Sequence, residues 1–282
     1  MNEQPIELLD SFARLRVLVI GEAMLDSYLT GRATRLSREA PVPIVAVSER
    51  SDMPGGAANA AVNLAALGAD VAFLSVIGAD ADAGVLRQAL EERGVSGEHL
   101  LADADRRTLT KRRVSAEGQL LVRFDEGSTE QISQATEARL LARLERLFRG
   151  VDAVVVSDYA YGVLTPRVIA SLAALQSAAD LPIIVDAKDV TAYRGVGVTA
   201  AKPNYSEAVR LLSEPESDVS AIRVGQVARS AERLLEMTGA RIVAVTLDRD
   251  GALVFERGQP AYRTYAEPNP HSRAAGAGDT FV

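Results

Sequence analysis

Short apolar runs alternate along the chain with longer stretches in which apolar residues recur every three or four positions. "LRVLVIG" places the branched run Val17 to Ile20 next to Gly21, the pattern of a strand buried on both faces. "VDAVVVSD", "LPIIVDAK" and "RIVAVT" repeat it further on. The intervening segments "GGAANAAVNLAALG", "DAGVLRQALEERGV", "EQISQATEARLLARLERLF", "TPRVIASLAAL", "PNYSEAVRLL" and "VGQVARSAERLLEMTGA" read as helices. Pro166 sits at one helix start, and Gly94 and Gly239 serve as C-terminal stops. Strand then helix, repeated, predicts an α/β fold with a mostly parallel sheet and helices on both faces.

Two stretches break this rhythm. Residues 28–50 lack helical periodicity, and "PIVAVSE" alternates, with Ile44 and Ala46 on one face. They predict strands that leave the main sheet and return as a small β lid. Residues 107–125 predict a hairpin turning at "AEG", a second piece of lid. Neither a fixed-period repeat nor a clean linker divides the chain, so it reads as a single domain over 1–282.

Composition narrows the chemistry. The chain has 282 residues, 48% of them hydrophobic, enough for a full core, and a formal net charge of −7 without a Lys/Arg block. That combination argues against nucleic acid as partner. The absence of cysteine removes disulfides, thiol catalysis and Cys-zinc sites, and fits a cytoplasmic setting. The N-terminus is not a signal peptide, and no apolar run approaches the roughly 20 residues of a membrane span. His99 and His271 lie far apart without the neighbours of a triad or metal site, and both read as surface or loop residues.

Asp26, Asp158, Asp186, Asn204, Thr246 and Asp279 all follow or end predicted strands. In an open parallel sheet those ends share one edge, where ligands bind. Two glycine-rich turns join them: Gly55-Gly56 before a helix carrying Asn59 and Asn63, and Gly276-Ala277-Gly278 before Asp279. Neither the P-loop nor the dinucleotide fingerprint is present. Phosphoryl transfer accounts for the set. It needs a base for the attacking hydroxyl, backbone N–H groups for the moving charge, and Mg2+ held mostly through water. Asp279 would be the base. Gly276, Ala277 and Gly278 would supply donors with Asp279's own N–H, and Glu207 would order a water on the metal.

The stretches "VIGEAMLDSYLTGRATRLSREAPVPIV", "GGAANAAVNLAALGADV", "TLTKRRVSAEGQLLVRFDE", "SDYAYGVLT", "DAKDVTAYRG", "KPNYSEA", "VTLDRDG" and "GAGDTF" resemble the PfkB/ribokinase family of sugar kinases over essentially the whole chain. "SREAPVPIV" and the "TKRR…QLLVRFDE" pair resemble its heptose 7-phosphate kinase branch. The resemblance implies a ribokinase-like fold and an ATP- and Mg2+-dependent kinase. Its acceptor would be D-glycero-D-manno-heptose 7-phosphate, phosphorylated at the anomeric hydroxyl. By position, Asp26, Gly55, Gly56 and Asn59 would hold sugar hydroxyls, and Lys111, Arg113 and Arg123 the existing phosphate. Asn204 and Glu207 would serve the phosphate and Mg2+ region, and Thr246 and Gly251 the nucleotide. The lid of such kinases often pairs with a second subunit's, so a homodimer is expected.

The chain departs from the family pattern in the lead-in "SRAAGAGD", in Tyr161 and in "DAK". Its sequence ends just after Asp279, so the domain is expected to be C-terminally incomplete. Two further readings remain open at this stage. One is a related kinase of fructose, a fructose phosphate, ribose or a nucleoside. The other is a non-catalytic sugar- or nucleotide-binding relative.

Overall fold

The computed structural model describes residues 11–265 and 276–281. Its main sheet is nine-stranded, in the order β13-β12-β11-β10-β9-β8-β1-β4-β5. The strands are β1 (Arg16–Gly21), β4 (Asp70–Gly78), β5 (Leu100–Asp103), β8 (Ala153–Asp158), β9 (Ile183–Ala187), β10 (Ala200–Ala201), β11 (Ile242–Thr246), β12 (Ala252–Glu256) and β13 (Tyr262–Thr264). Neighbours from β5 through β11 are parallel, and β12 and β13 return antiparallel at one edge.

Each central strand is apolar on both sides because each side meets helices. In β1, Leu18 and Ile20 enter one core and Val17 and Val19 the other. The larger core is closed by α3 (Gln134–Phe148), α4 (Pro166–Ala179), α5 (Tyr205–Leu212) and α7 (Ala231–Thr238). The smaller is closed by α1 (Ala57–Ala66) and α2 (Ala81–Glu91). Fully buried side chains such as Leu86, Leu140 and Leu144 each contribute about 2 kcal/mol of apolar burial. In α1 the buried positions are Ala57, Ala58, Ala60 and Ala61, which brings that helix close against the sheet.

A second, four-stranded sheet, in the order β3-β2-β6-β7, stands beside the first. Its strands are β2 (Ala23–Leu36), β3 (Pro43–Gly56), β6 (Leu109–Ala116) and β7 (Gln119–Glu126). The strands around residues 28–50 therefore extend inward to Ala23 and Gly56, and the 107–125 hairpin joins the same sheet. The β6–β7 turn uses Glu117 and Gly118, both at positive φ (53° and 83°), the requirement of a tight two-residue hairpin.

The structure corrects two helix boundaries. "VGQVARSAERLLEMTGA" is not one helix: α6 (Ser220–Arg229) and α7 meet at Ser230, whose φ of −104° and ψ of 13° leave the helical well. The helix assigned to end at Gly94 ends at Glu91, and Gly94, at φ 77°, turns the chain afterwards. Among the described residues, no helix is long and apolar enough to cross a membrane.

Gly21 ends β1 beside Ser157, and a Cβ there would lie 1.9 Å from the Ser157 carbonyl oxygen. Gly84, inside α2, has open space where its Cβ would go. We expect opposite signs in urea unfolding. Gly21→Ala should lose about 1–3 kcal/mol by overpacking, and Gly84→Ala should gain about 0.5–1 kcal/mol of helix propensity. Equal effects would contradict this packing.

Candidate active site

The parallel strands deliver their C-terminal ends to one edge of the main sheet, and the chain leaves most of those ends with a polar residue. Glu22 follows β1, is fully buried, and takes two backbone N–H bonds: from Tyr159 to Oε2 at 2.7 Å and from Val163 to Oε1 at 3.1 Å. Burial first, then the charge of Asp158, pushes its carboxyl up to about 7. Asp158 ends β8 but turns inward, accepting from the Tyr193 hydroxyl at 2.7 Å and the Ala160 N–H at 2.8 Å. Burial raises its pKa as well.

Asp186, near the end of β9, pairs with the buried Lys202 ammonium at 3.0 Å. Burial pushes Asp186 up to about 6 despite that cation, and the negative charges of Glu207 and Asp279 add to the effect. Asn204 and Glu207 form a reciprocal cap on α5: Asn204 Oδ1 accepts from the Glu207 N–H and Glu207 Oε2 accepts from the Asn204 N–H, both at 2.9 Å. Glu207 Oε1 faces Lys188 Nζ at 2.7 Å. Thr246 bridges to Asn204 across β10 and β11, and Gly251, at φ 84°, starts the return into β12.

The lid supplies the opposite wall. Directly paired residues on adjacent strands share a face, and the pairs Asp26↔Lys111, Tyr28↔Arg113, Arg113↔Arg123 and Lys111↔Asp125 set one face apart. Arg113 is held by Asp26 in a short ion pair at 2.5 Å and lies over the Tyr28 ring at 5.1 Å. Lys111 is half-buried, and burial lowers its pKa. Arg123 is more exposed and meets Asp125 at 3.1 Å. Gly55 lies tight against Asp26, since a Cβ there would be 2.3 Å from Asp26 Oδ2. Gly56, at φ 58°, turns the chain from β3 into α1.

Asp279 stands at the strand-end wall, and Tyr159 joins it to the lid, with Lys111 Nζ 5.3 Å from the Tyr159 ring. Asp279 sits in α8 (Ala277–Thr280), entered through Gly276 at φ 82°. Asn59 of α1 donates from Nδ2 to Asp279 Oδ2 at 3.1 Å and to the Gly276 carbonyl at 3.2 Å. The Tyr159 hydroxyl donates to Asp279 Oδ1 at 2.5 Å. Gly278 faces Lys202, whose Nζ would lie 3.9 Å from a Cβ there. The arrangement suits anionic chemistry: a carboxylate held by two donors, first-turn N–H groups of a helix, and cations on both sides.

The structure thus gathers Asp279, Gly276, Ala277, Gly278 and Asn59, with Asn204, Glu207, Thr246 and Gly251 along the neighbouring strand ends. It places Asp26, Gly55, Lys111, Arg113 and Arg123 on or beside the lid face. Asp26 is corrected in place: it lies inside β2, not at a main-sheet strand end. Asp158 caps a loop and does not face Asp279. His99 accepts from Arg143 at 2.9 Å, and burial lowers its pKa, in keeping with a structural role; His271 lies outside the described residues. Among the described residues, no group of three or more His, Cys, Asp or Glu is arranged to hold a metal.

Glu22, Tyr159, Lys188 and Lys202 were not picked out by sequence reasoning. Glu22 carried a signal, a lone acid directly after a buried strand in "VIGEAM", and Lys202 precedes Asn204 in "KPNYSE". Tyr159 and Lys188 follow strand ends, but only the fold shows what they face.

The chain is similar to known proteins over nearly its whole length. The family described as "pfkB family carbohydrate kinase" matches residues 14–282. The "Bifunctional protein HldE" of Desulfatibacillum aliphaticivorans is 35% identical over 271 residues, 96% of this chain and 54% of that protein. The "Bifunctional protein HldE" of Azorhizobium caulinodans is 38% identical over 270 residues, 94% of this chain and 54% of that protein. The chain spans about half the length of the curated relatives it matches. Among solved structures, phosphofructokinase-2 from Escherichia coli superposes with a TM-score of 0.73 at 20% identity, covering 94% of this chain and 83% of that one. That likeness, with the strand order above, establishes the ribokinase-like fold.

Glu22 gives a pH test. Its folded pKa, about 7, lies above the usual 4.5, so between those values the fold keeps a proton the unfolded chain has lost. Stability therefore falls as pH rises through that window, by up to about 3 kcal/mol from this group. Asp186, shifted from 3.8 to about 6, adds a fall of the same sign at lower pH. In urea unfolding at pH 5 and pH 7.5, Glu22→Gln should lose less stability with rising pH than the wild type. An unchanged pH dependence would contradict the assignment.

Proposed function

The chain belongs to the pfkB family of carbohydrate kinases, and from that premise we propose that it transfers the γ-phosphoryl group of ATP to a sugar phosphate. The acceptor in this reading is D-glycero-D-manno-heptose 7-phosphate, phosphorylated at its anomeric hydroxyl to the 1,7-bisphosphate. The observation that carries it is the cationic lid face that Tyr159 joins to Asp279. A carboxylate held by Asn59 and Tyr159 stands at the sheet edge, and Lys111, whose Nζ lies 5.3 Å from the Tyr159 ring, shares the lid face with Arg113 and Arg123. An acceptor that already bears a phosphate would use those cations, whereas a neutral sugar would leave them with only Asp26 and Asp125.

In this mechanism Asp26, Asn59 and the backbone at Gly55 and Gly56 hold sugar hydroxyls. Asp279 accepts the proton of the anomeric hydroxyl as its oxygen bonds to the γ-phosphorus and the bond to ADP breaks. The N–H groups of Gly276, Ala277, Gly278 and Asp279 face the charge on the transferred group. Thr246 and Gly251 line the nucleotide side. Mg2+ in this reading is held through water: burial raises Asp186, the charges of Glu207 and Asp279 add to the rise, and Glu207, with Asn204 beside it, would order a water on the ion. When bound, the ion would neutralise charge on the phosphates.

The exposed apolar side chains of the lid's edge strands, Ile44 and Val47 on β3 and Leu120 and Val122 on β7, support a homodimer formed through the lid. The reading places the enzyme in the cytoplasm.

A coupled ADP-release assay with heptose 7-phosphate, fructose 6-phosphate and ribose as acceptors tests this. We expect heptose 7-phosphate to give the highest kcat/KM, and Asp279→Asn to lower kcat by about 10²–10⁴-fold. Full activity in Asp279→Asn would overturn the base assignment. A preference for another acceptor would overturn the heptose assignment alone.

A further inference from the structure

Tyr159 touches the base but has no step of its own above, and it is held along its whole length. Its backbone N–H donates to the buried carboxylate of Glu22 at 2.7 Å. Two ammonium groups lie over its ring: Lys111 of the lid at 5.3 Å, and Lys188, just after β9, at 5.7 Å. The Tyr161 ring stands beside it with centroids 6.2 Å apart. Its hydroxyl, at the free end, donates to Asp279 Oδ1.

Each anchor constrains a different degree of freedom. The Glu22 bond fixes where the backbone leaves β8. The two cations favour a ring lying between the lid wall and the strand-end wall. With the backbone and ring held, the hydroxyl has little freedom except rotation of its proton, and Asp279 Oδ1 lies in its reach. A tyrosine with burial and carboxylates around it keeps its proton, so this bond runs in one sense, from Tyr159 to Asp279.

The consequence concerns Asp279, which lies on the short helix α8 after a glycine-rich turn. A carboxylate on a short side chain rotates about two bonds, and transfer requires one oxygen to point at the acceptor hydroxyl. Tyr159 holds Oδ1, and Asn59 approaches Oδ2 from α1. Each carboxylate oxygen has two acceptor directions, so Oδ2 can meet Asn59 and the acceptor hydroxyl together. The pair of donors sets the plane of the carboxylate.

We propose that Tyr159 is a positioning residue for phosphoryl transfer: held by Glu22, Lys111 and Lys188, it orients the Asp279 carboxylate through its hydroxyl. This inference rests on the reading of Asp279 as the base. It also ties the lid to the base, because Lys111 belongs to β6 of the lid while the hydroxyl contacts α8.

Tyr159→Phe tests it, because the ring and both cation contacts remain and only the hydroxyl is lost. The expected result is a fall in kcat of about 10–100-fold, the scale of a misplaced reacting group. KM for sugar phosphate and for ATP should stay within about twofold, with an unfolding midpoint near that of the wild type. An unchanged kcat, or a raised KM with kcat held, would overturn the proposal. Asp279→Asn separates the two levels. If it retains turnover, the base reading fails; if it is inactive while Tyr159→Phe matches the wild type, only the role of Tyr159 fails. Unfolding midpoints of Tyr159→Phe, Asp279→Ala and the double variant read the contact without turnover. Non-additive shifts support it, and strictly additive shifts overturn it.

Discussion

Glu22 has no exposed surface, and both its oxygens accept backbone N–H groups from the loop after β8. An ionised carboxylate in such a place is costly unless hydrogen-bonded, and these two bonds offset part of that cost. In return the bonds fix the Tyr159–Val163 loop against the end of β1. The same residue's own N–H meets the Ser157 carbonyl and its carbonyl receives the Ala57 N–H. One side chain and its backbone thus join β1, β8 and the start of α1 at the point where the lid departs. Tyr159 reaches Asp279 because its backbone is held there, and Asn59 reaches Asp279 because α1 starts there.

The lid works by alternation. Since side chains on adjacent paired positions share a face, the register of β2, β6 and β7 turns a stretch of mixed charge into one wall carrying Lys111, Arg113 and Arg123. Asp26 neutralises one of these cations, Arg113. A shift of one residue in the β2–β6 pairing would turn this charge to the other side, so the wall depends on register more than on composition.

The central strands were legible in the sequence because a strand buried on both faces needs an unbroken apolar run, and few other structures tolerate one. The cap of α5 was legible too, since Asn204 and Glu207 stand three apart at the start of an amphipathic run. The break at Ser230 was not: the apolar period continues through it, and only packing decides that α6 and α7 part there. Asp26 was read as a strand-end residue because it lies close after Gly21, but β2 begins again at Ala23. Glu22 and Tyr159 escaped for a common reason. A glutamate in a core and a tyrosine on an aspartate are defined by partners more than a hundred residues away.

In the reading proposed above, this edge and this lid together bind a phosphorylated heptose. Isothermal calorimetry of the chain with heptose 7-phosphate, against fructose 6-phosphate and ribose, addresses it most directly, since binding depends on the lid face and the strand ends whether or not transfer follows. Selective binding of heptose 7-phosphate is expected, with affinity falling as salt screens the lid cations. Equal or tighter binding of ribose would contradict it.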